Sequence, residues 1–452
     1  MISDNVPRLL IGGTNSGCGK TTVVCAILQA MKNRGLDVAA FKCGPDFIDP
    51  MFHTEVIGIP SINIDLFFSG ECGARDSFMH YAHGLNVIEG VMGFYDGNSM
   101  SSDVGSSYRT ALALQAPSIL VVNVRGMALS AAAIVNGFIN LRKPNTVCGV
   151  ILNRATETTY PQLKDMIEAE CGVKVFGYLP RLDDCAIESR HLGLVTAQEI
   201  DDLKNKLQKL AEQAEMSIDI DGLTDLMKRQ PSIEFNESPL ERLDDVTVAV
   251  ALDRAFCFYY QENLDILKRL GARIVTFSPL TDSSLPQCDG LYIGGGYPEL
   301  YAKKLSENTR MLDSVKTAVE NGLPTIAECG GFMYLTRSIN GERTVGIFDT
   351  ECENSGKLRR FGYVTVTAHS DSLLFRTGDT VRAHEFHYWD AAAPGNDLTA
   401  IKPNGRTWDC AYVSDTYYAG FPHLYLPAAP HCAERFIKKC SERRKRLETD
   451  GD

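Results

Sequence analysis

The sequence of 452 residues predicts an α/β protein made of two doubly wound domains. Apolar strands alternate with helical patterns from residue 8 to about 180, as they do in a parallel sheet with crossover helices. A fresh series of strands begins at Val246, after a segment with two prolines and mixed charge. The predicted organisation is a first domain at 1–230, a linker at 231–244, a second domain at 245–440 and a charged tail at 441–452.

Each predicted strand is a short apolar run, and most of these runs are rich in β-branched residues. The first domain's strands are predicted at Arg8–Gly12, Val38–Lys42, Asn86–Glu89, Ser118–Val124, Thr146–Asn153 and Val173–Leu179. Helical periodicity predicts a helix over Lys20–Arg34 and an amphipathic helix over Thr196–Glu215. Strands at Val246–Leu252 and Leu291–Ile293 begin the second domain.

A glycine-rich loop, Gly13–Thr22, lies between the first strand and the first helix. Its backbone N–H groups can surround phosphate oxygens, its lysine can reach the terminal phosphates, and the threonine after the lysine can ligate magnesium. The strict phosphate-loop pattern would place a glycine where this chain has Thr14, so the match is a variant. The predicted ATP-binding residues are Gly17, Gly19, Lys20, Thr21 and Thr22.

Carboxylates follow two strands of the first domain at the edge where such sheets bind ligands. Glu89 closes a strand, and Lys42–Pro50 begins at the end of another. The predicted magnesium ligands are Thr21, Asp46 and Glu89, and the predicted substrate contacts are Phe47, Asp49 and Asp96. Acidic residues before glycine or proline also form turns, so a turn-forming role stays open for all four acidic residues, above all for Asp49 and Asp96 and less so for Asp46 and Glu89. Asn153 and Arg154, at a strand end, are candidates for contact with adenine.

Cys329 follows an apolar strand and precedes two glycines and a helical run, the pattern of a nucleophile elbow. A cysteine at a helix N-terminus is favoured as a thiolate, and the adjacent N–H groups can hold an oxyanion. Inert packing is the structural alternative, which the surrounding glycines and a distal histidine disfavour. The predicted catalytic residues are Cys329 and His423, and the residues predicted to hold the oxyanion and the substrate are Gly295, Gly296 and Gly330.

Composition excludes several other classes of protein. The formal net charge of −12 argues against nucleic acid as the general partner. No apolar run approaches the roughly 20 residues that cross a bilayer, and the N-terminus lacks a signal-peptide shape, which predicts a cytoplasmic protein. The fourteen cysteines are scattered without a CxxC pair, so a structural zinc site is not expected. His384-Glu-Phe-His387 has one residue too few for a metalloprotease motif.

Six motifs together resemble the cobyrinic acid a,c-diamide synthase family, in the same order along nearly the whole chain. They are Gly13–Thr21, Lys42–Pro50, Glu89–Gly97, Gly294–Glu299, His384–Tyr388 and Phe421–Leu424. The resemblance implies a dethiobiotin synthetase-like P-loop domain followed by a class I glutaminase domain. In many class I glutaminases a glutamate stands two residues after the histidine, whereas this chain has Tyr425. The third member of the triad is therefore not assigned.

The resemblance implies ATP-dependent amidation of the a and c carboxylates of cobyrinic acid in cobalamin biosynthesis. It implies ATP and Mg²⁺ as cofactors, and glutamine and a polycarboxylate corrinoid or related tetrapyrrole as partners, with a homodimer left open. Ni-sirohydrochlorin or hydrogenobyrinic acid remains open as the macrocycle. A P-loop switch ATPase of the partitioning type is the alternative from another class, and the intact cysteine elbow disfavours it.

Overall fold

A computed structural model describes residues 2–182, 185, 197–236 and 240–450. The chain divides into two compact units, Met1–Glu237 and Ser238–Asp452, each with its own sheets and core. In the part of the chain that the structure describes, no helix combines the length and apolarity needed to span a bilayer.

The first unit is built on a seven-stranded parallel sheet in the order β4-β3-β5-β2-β6-β7-β8, and a two-stranded antiparallel pair joins β1 to β9. Its elements are β1 (Ile2–Asp4), β2 (Arg8–Gly13), α1 (Lys20–Asn33), β3 (Val38–Cys43), α2 (Ile48–Phe52), a π-helical turn (His53–Ile57), β4 (Ser61–Ile64), α3 (Leu66–Tyr81), β5 (Leu85–Glu89), α4 (Ser107–Ala113), β6 (Ser118–Asn123), α5 (Ser130–Asn140), β7 (Val147–Asn153), α6 (Tyr160–Cys171), β8 (Lys174–Leu179), α7 (Ala197–Ser217), α8 (Ile220–Lys228) and β9 (Ile233–Phe235).

Both faces of this sheet are covered, which explains why its strands are apolar without alternation. Along β2, Leu9 and Ile11 pack in one core cluster and Leu10 packs in the other. Helix α7 packs against α1, and its buried residues Leu207, Leu210, Ala211 and Ala214 have the spacing of one helical face. The predicted strands, and the amphipathic helix within its described part, are therefore present.

The predicted linker at 231–244 differs from the structure at both of its ends. Ile233–Phe235 forms β9, which pairs with β1, and Arg8 donates a 2.8 Å hydrogen bond to the Pro231 carbonyl. At the other end, Asp244 accepts a 2.5 Å hydrogen bond from Ser441. These contacts hold both ends of the predicted linker in folded structure, and residues 237–239 lie outside the described residues.

The second unit contains a six-stranded sheet in the order β12-β10-β13-β15-β25-β24, parallel except for β24. Its elements are β10 (Val246–Ala251), β11 (Phe256–Phe258), α9 (Gln261–Leu270), β12 (Ala272–Phe277), β13 (Gly290–Ile293), β14 (Gly295–Gly296), a 3-10 turn (Pro298–Tyr301), α10 (Ala302–Glu307), α11 (Thr309–Glu320), β15 (Thr325–Glu328), α12 (Gly330–Leu335), β16 (Thr336–Ile339), β17 (Glu342–Arg343), β18 (Phe348–Asn354), β19 (Arg360–Ala368), β20 (Thr380–His387), β21 (Trp389–Ala391), β22 (Leu398–Ile401), β23 (Thr407–Cys410), β24 (Tyr412–Val413), β25 (Tyr417–Gly420), β26 (His423–Leu424), a 3-10 turn (Leu426–Ala428) and α13 (Pro430–Asp450).

The parallel sheet of this unit has a core on each face, so the prediction of two doubly wound α/β domains is confirmed. Helices α9 and α13 contribute to one core, and α11 and α12 contribute to the other. The unit also contains a five-stranded sheet in the order β23-β22-β19-β20-β26 and a four-stranded one in the order β17-β16-β18-β21. The sequence analysis did not predict these two additional sheets.

The predicted boundary between domain and charged tail falls inside one continuous helix. Helix α13 extends from Pro430 to Asp450, and the first residue of the predicted tail, Ser441, is buried. Lys445 pairs with Asp244 at 3.0 Å one turn later. The tail therefore begins as a packed part of the second unit, because its first turn still faces the β10 side of the domain.

Candidate active sites

The glycine-rich loop of the first unit has the backbone geometry that phosphate binding requires. Gly17 and Gly19 have φ angles of 79° and 93°, in the region that favours glycine. A Cβ on Gly19 would lie 1.9 Å from Asn153 Nδ2, which donates a 2.7 Å hydrogen bond to the Cys18 carbonyl. Because Gly19 has no side chain with which to cap α1, the first N–H groups of the helix remain available to an anion.

A buried carboxylate is hydrogen-bonded to the threonine that follows the lysine of this loop. Glu89, at the end of β5, accepts a 2.7 Å hydrogen bond from Thr21 Oγ1, and its Oε1 lies 3.1 Å from Lys42 Nζ. Its Oε2 lies 3.2 Å from His53 Nε2. Burial opposes ionisation of Glu89, but the charges of Lys42, His53 and Lys20 outweigh it and lower the pKa of this carboxyl. Glu89 is therefore a carboxylate at neutral pH.

Lys42 is shared between two carboxylates at the end of β3. Its ammonium pairs with Asp49 as well as with Glu89. Burial tends to lower the pKa of Lys42, but the two carboxylates raise it overall. Burial and the charge of Glu89 raise the pKa of Asp49 to about 7, against the opposing effect of Lys42. The adjacent strands β3 and β5 bring Lys42 and Glu89 together, and neither Lys42 nor His53 is predicted as a site residue from the sequence.

The other acidic residues predicted for this site form local turns. Asp46 accepts hydrogen bonds from the N–H groups of Ile48 and Asp49, at 3.1 and 3.3 Å, and so holds the start of α2. Asp96 is exposed, and its carboxylate accepts a 2.9 Å hydrogen bond from Gly93 N. Phe47 is half-buried beside Asp46. The structure therefore brings Thr21 and Glu89 together. The carboxylates of Asp46 and Asp96 instead accept hydrogen bonds from nearby backbone N–H groups.

The oxygens of Thr21 and Glu89 are of the kind that Mg²⁺ prefers. Glu89 Oε2 is buried and faces His53 Nε2 at 3.2 Å without hydrogen-bond geometry, so a further ligand on this oxygen would share it with His53. Within the described ranges, no three His, Cys, Asp or Glu side chains form a group that could hold a metal ion. A magnesium ion here would take its remaining ligands from phosphate and water, which is how Mg²⁺ is commonly held beside nucleotides.

In the second unit, Cys329 occupies a strained turn between β15 and α12. Its φ of 49° and ψ of −103° are unusual for a residue with a Cβ, and its N–H donates a 2.7 Å hydrogen bond to the Gly420 carbonyl. A Cβ at Gly331 would lie 2.1 Å from the Ile293 carbonyl oxygen, so only glycine fits there. This geometry is that of the nucleophile elbow predicted from the sequence.

The loop that follows β13 lies against this elbow. A Cβ on Gly330 would lie 3.1 Å from Gly296 N and 2.9 Å from Pro298 Cδ. A Cβ on Gly295 would lie 2.5 Å from His423 Cε1 and 3.1 Å from its Nε2. Gly295 and Gly296 therefore lie between the elbow and His423. Neither position can accommodate a Cβ atom, so only glycine fits there.

His423 is buried at the start of β26, and a carboxylate from another strand lies beside it. Glu328 Oε2 is 3.7 Å from His423 Nδ1. Glu328 also accepts a 2.9 Å hydrogen bond from the Tyr292 hydroxyl and a 3.0 Å hydrogen bond from Leu424 N. Glu328 is not among the residues predicted from the sequence, although it is an acidic residue within an apolar strand that ends at the nucleophile, which is the pattern that could have indicated it.

The surroundings of Cys329 disfavour a free thiolate. Burial raises the pKa of the thiol, the charge of Glu299 raises it further, and a hydrogen bond from Gly330 N–H acts in the opposite direction. Burial also raises the pKa of Glu299 to about 7. A cation beside the sulfur, such as a protonated imidazole, would offset these effects during attack on a substrate.

The His384–His387 motif lies on β20, beside the histidine strand β26. Because side chains alternate along a strand, His384 and His387 point to opposite faces and cannot share a metal. His387 Nε2 is 3.5 Å from Glu385 Oε2, and its ring stacks on Phe421 at 4.0 Å. Burial lowers the pKa of His384 to about 3, and His423 contributes to this effect.

Two families of known protein domains match the chain, one in each of its two units. Residues 9–195 match the CobQ/CobB/MinD/ParA nucleotide binding domain, and residues 247–427 match the CobB/CobQ-like glutamine amidotransferase domain. The first unit is thus a nucleotide-binding domain, and the second is a glutamine amidotransferase domain.

Relatives named cobyrinate a,c-diamide synthase match almost the whole chain. The protein of that name from Caldanaerobacter subterraneus subsp. tengcongensis is 40% identical over 96% of this chain and 98% of its own length. Those from Clostridium tetani and Picrophilus torridus are each 38% identical, over 92% and 96% of this chain and 96% and 99% of their own lengths. The chain therefore belongs to the cobyrinate a,c-diamide synthase family.

Proposed function

We propose that this enzyme uses ATP and glutamine to convert the a and c carboxylates of cobyrinic acid into amides, as a step of cobalamin biosynthesis. The observation that carries the proposal is the presence of two different sites in one chain. One is a phosphate loop backed by the Thr21–Glu89 hydrogen bond, and the other is a cysteine elbow with His423 beside its glycine loop. Family membership supports the substrate.

In the second unit, Cys329 would attack the carboxamide carbon of glutamine. His423 accepts the thiol proton and returns it to the leaving nitrogen, so ammonia departs and a thioester remains. Water then hydrolyses the thioester to glutamate and restores the thiol. The N–H groups of Gly296 and Gly330 are the proposed donors to the oxyanion, with Gly295 completing the loop.

In the first unit, Gly17, Gly19 and Thr22 of the loop, together with Lys20, would hold the phosphates of ATP. A substrate carboxylate oxygen attacks the γ-phosphorus, ADP leaves, and an acyl phosphate forms. Ammonia then attacks the acyl carbon, and the amide forms as phosphate departs and a proton is lost. Magnesium, held by Thr21 and Glu89 with Asp46 as a further candidate, would neutralise phosphate charge.

Phe47, Asp49 and Asp96 are the proposed contacts of the macrocycle. The proposed extents of the amide synthase and amidotransferase domains are the two compact units, Met1–Glu237 and Ser238–Asp452, in place of the predicted 1–230 and 245–440 with a linker at 231–244. The tail at 441–452 has no proposed catalytic role, although its first turn packs on the second unit.

The test is to incubate purified protein with cobyrinic acid, ATP, Mg²⁺ and glutamine and to follow by mass spectrometry the small mass decrease that accompanies replacement of each carboxyl hydroxyl by an amino group. Appearance of a monoamide and then a diamide supports the proposal. Product formed only from Ni-sirohydrochlorin or hydrogenobyrinic acid would reassign the macrocycle. ATP hydrolysis without any glutaminase activity would instead favour a P-loop switch ATPase.

A further inference from the structure

The carboxylate that many class I glutaminases place two residues after the histidine is absent from this chain. Tyr425 occupies that position, and its hydroxyl lies 3.4 Å from Glu262 Oε1. His423 nevertheless has a buried carboxylate beside it, because Glu328 reaches it from another strand. The two residues are 95 positions apart in sequence, and the fold brings them together.

The parallel pairing of β15 with β25 explains this proximity. Glu328 is paired with Gly420 in the register of the sheet, and His423 follows only three residues after Gly420. Glu328 immediately precedes the nucleophile, so one strand end supplies both the cysteine and the carboxylate. The adjacent strand end supplies the histidine.

Glu328 is held in place by hydrogen bonds on both of its oxygens. Leu424 N donates to Oε1 at 3.0 Å, and the Tyr292 hydroxyl donates to Oε2 at 2.9 Å. Asn263 supports the same group, since its Nδ2 lies 3.2 Å from the Tyr292 hydroxyl and 2.8 Å from the Leu424 carbonyl oxygen. A carboxylate fixed in this way cannot rotate away from His423 without breaking two buried hydrogen bonds.

We propose that Glu328 is the positioning residue of the glutaminase site and fills the role of the missing third triad member. This inference rests on the proposed glutaminase function of Cys329 and His423. With Nδ1 facing Glu328, the Nε2 atom faces the Gly295–Gly296 loop, which packs on the elbow. A proton on Nδ1, directed at the carboxylate, leaves Nε2 free of a proton and able to accept one from the thiol.

Hydrogen bonding alone does not require an acidic residue at position 328. The side-chain amide of a glutamine could accept the hydrogen bond from Leu424 N equally well, yet this buried position holds a glutamate. That charge stabilises the imidazolium that forms when His423 takes the thiol proton. Other titratable groups near this pair include His384 on the paired strand β20, Glu299 and Glu385 beside Cys329, and the buried tyrosines Tyr259, Tyr292 and Tyr418 around Glu328.

The experiment compares Glu328→Gln, Glu328→Asp and Tyr292→Phe with the wild-type full chain. Glutaminase kcat and KM are measured, together with the rate at which iodoacetamide alkylates Cys329, followed on the Cys329 peptide by mass spectrometry. ATP- and ammonia-dependent amidation in the same samples reports on folding of the synthase site.

We expect Glu328→Gln to lower kcat at least about tenfold while KM changes less than about twofold, because binding of glutamine does not require the charge. Alkylation of Cys329 should slow in parallel. Glu328→Asp, which keeps the charge on a shorter side chain, should retain more activity than Glu328→Gln. Tyr292→Phe, which removes one hydrogen bond but leaves the carboxylate, should have a smaller effect than either.

A role in packing or hydrogen bonding alone predicts the opposite order, because Gln preserves the size and acceptor of Glu better than Asp does. Glu328→Gln with wild-type kcat, or with more activity than Glu328→Asp, would overturn the proposal. Loss of ammonia-dependent amidation in parallel would also overturn it, because a residue that serves only the glutaminase site leaves the ammonia-dependent reaction intact. If the wild-type protein does not hydrolyse glutamine, the proposed function fails instead.

Discussion

Thr21 and Glu89 are joined by a 2.7 Å hydrogen bond that links the first turn of α1 to the end of β5. The hydroxyl belongs to the phosphate loop, and the carboxylate belongs to the strand beside it in the sheet. This contact places an ionised, buried carboxylate directly behind the position expected for the terminal phosphates of ATP. Charge at Glu89 should therefore matter for the synthase reaction and not for glutamine hydrolysis.

Glu89→Gln should reduce amidation by on the order of 100-fold or more with either glutamine or ammonia as nitrogen donor, because it removes a proposed magnesium ligand. The measurement is the rate of amide formation at saturating ATP and Mg²⁺. Cys329 in the same variant should still react with a glutamine-analogue alkylating agent at the wild-type rate. Wild-type amidation by Glu89→Gln would exclude the proposed role.

Cys329→Ala should abolish glutamine-dependent amidation but keep ammonia-dependent amidation within about twofold of wild type at high ammonium. The physical reason is that the thiol is needed only to release ammonia from glutamine. Cys352→Ala is a matched control, since Cys352 is another buried cysteine of the same unit. Loss of both activities in a folded Cys329→Ala protein would contradict the assignment.

Gly19→Ala should abolish ATP binding and destabilise the first unit. Its φ of 93° strains any side chain, by about 1–2 kcal/mol, and its Cβ would overlap Asn153. Gly17→Ala is the matched control, because Gly17 has a similar φ of 79° but an added Cβ would meet no atom within 4 Å. Calorimetric unfolding and ATP titration of both variants separate backbone strain from the clash. Equal effects of the two variants would show that the contact with Asn153 is unimportant.

The sequence predicted the parts of the two sites that depend on local pattern. The phosphate loop and the cysteine elbow each follow a strand and begin a helix, so neighbouring residues specify their geometry. The Lys42–Glu89–His53 cluster and the Glu328–His423 pair depend on which strands are adjacent, and a single sequence does not report strand order. The turn role of Asp46 is different, because it is local: its partners are N–H groups two and three residues later, and this turn-forming alternative was already open from the sequence.

Stability of the second unit should depend on pH through Glu299. Burial raises the pKa of this carboxyl to about 7, so the folded protein holds the proton more tightly than the unfolded chain does. Stability from this group is therefore complete below the unfolded pKa of about 4.3 and is lost as pH rises toward 7. The difference in unfolding midpoint between about pH 5 and about pH 7.5 should be smaller in Glu299→Gln than in wild type.

The exposed Glu307, near Glu299 in sequence, provides the control for that measurement. Glu307→Gln should leave the pH dependence of the unfolding midpoint unchanged. A Glu299→Gln protein whose midpoint varies with pH as steeply as wild type would show that the Glu299 carboxyl is already ionised in the folded state at about pH 5.

Phe47 should influence the substrate and not the nucleotide. Asp46 fixes the start of α2 through the N–H groups of Ile48 and Asp49, so the half-buried Phe47 lies in sequence between a predicted magnesium ligand and a predicted substrate contact. An aromatic ring there offers apolar contact to a macrocycle whose carboxylates approach the phosphates. Phe47→Ala should therefore change the ratio of monoamide to diamide in time courses by more than it changes the KM for ATP. Ile48→Ala, at the neighbouring half-buried position, is the matched control. A Phe47→Ala enzyme with an unchanged product ratio and a raised KM for ATP would assign this residue to the nucleotide instead.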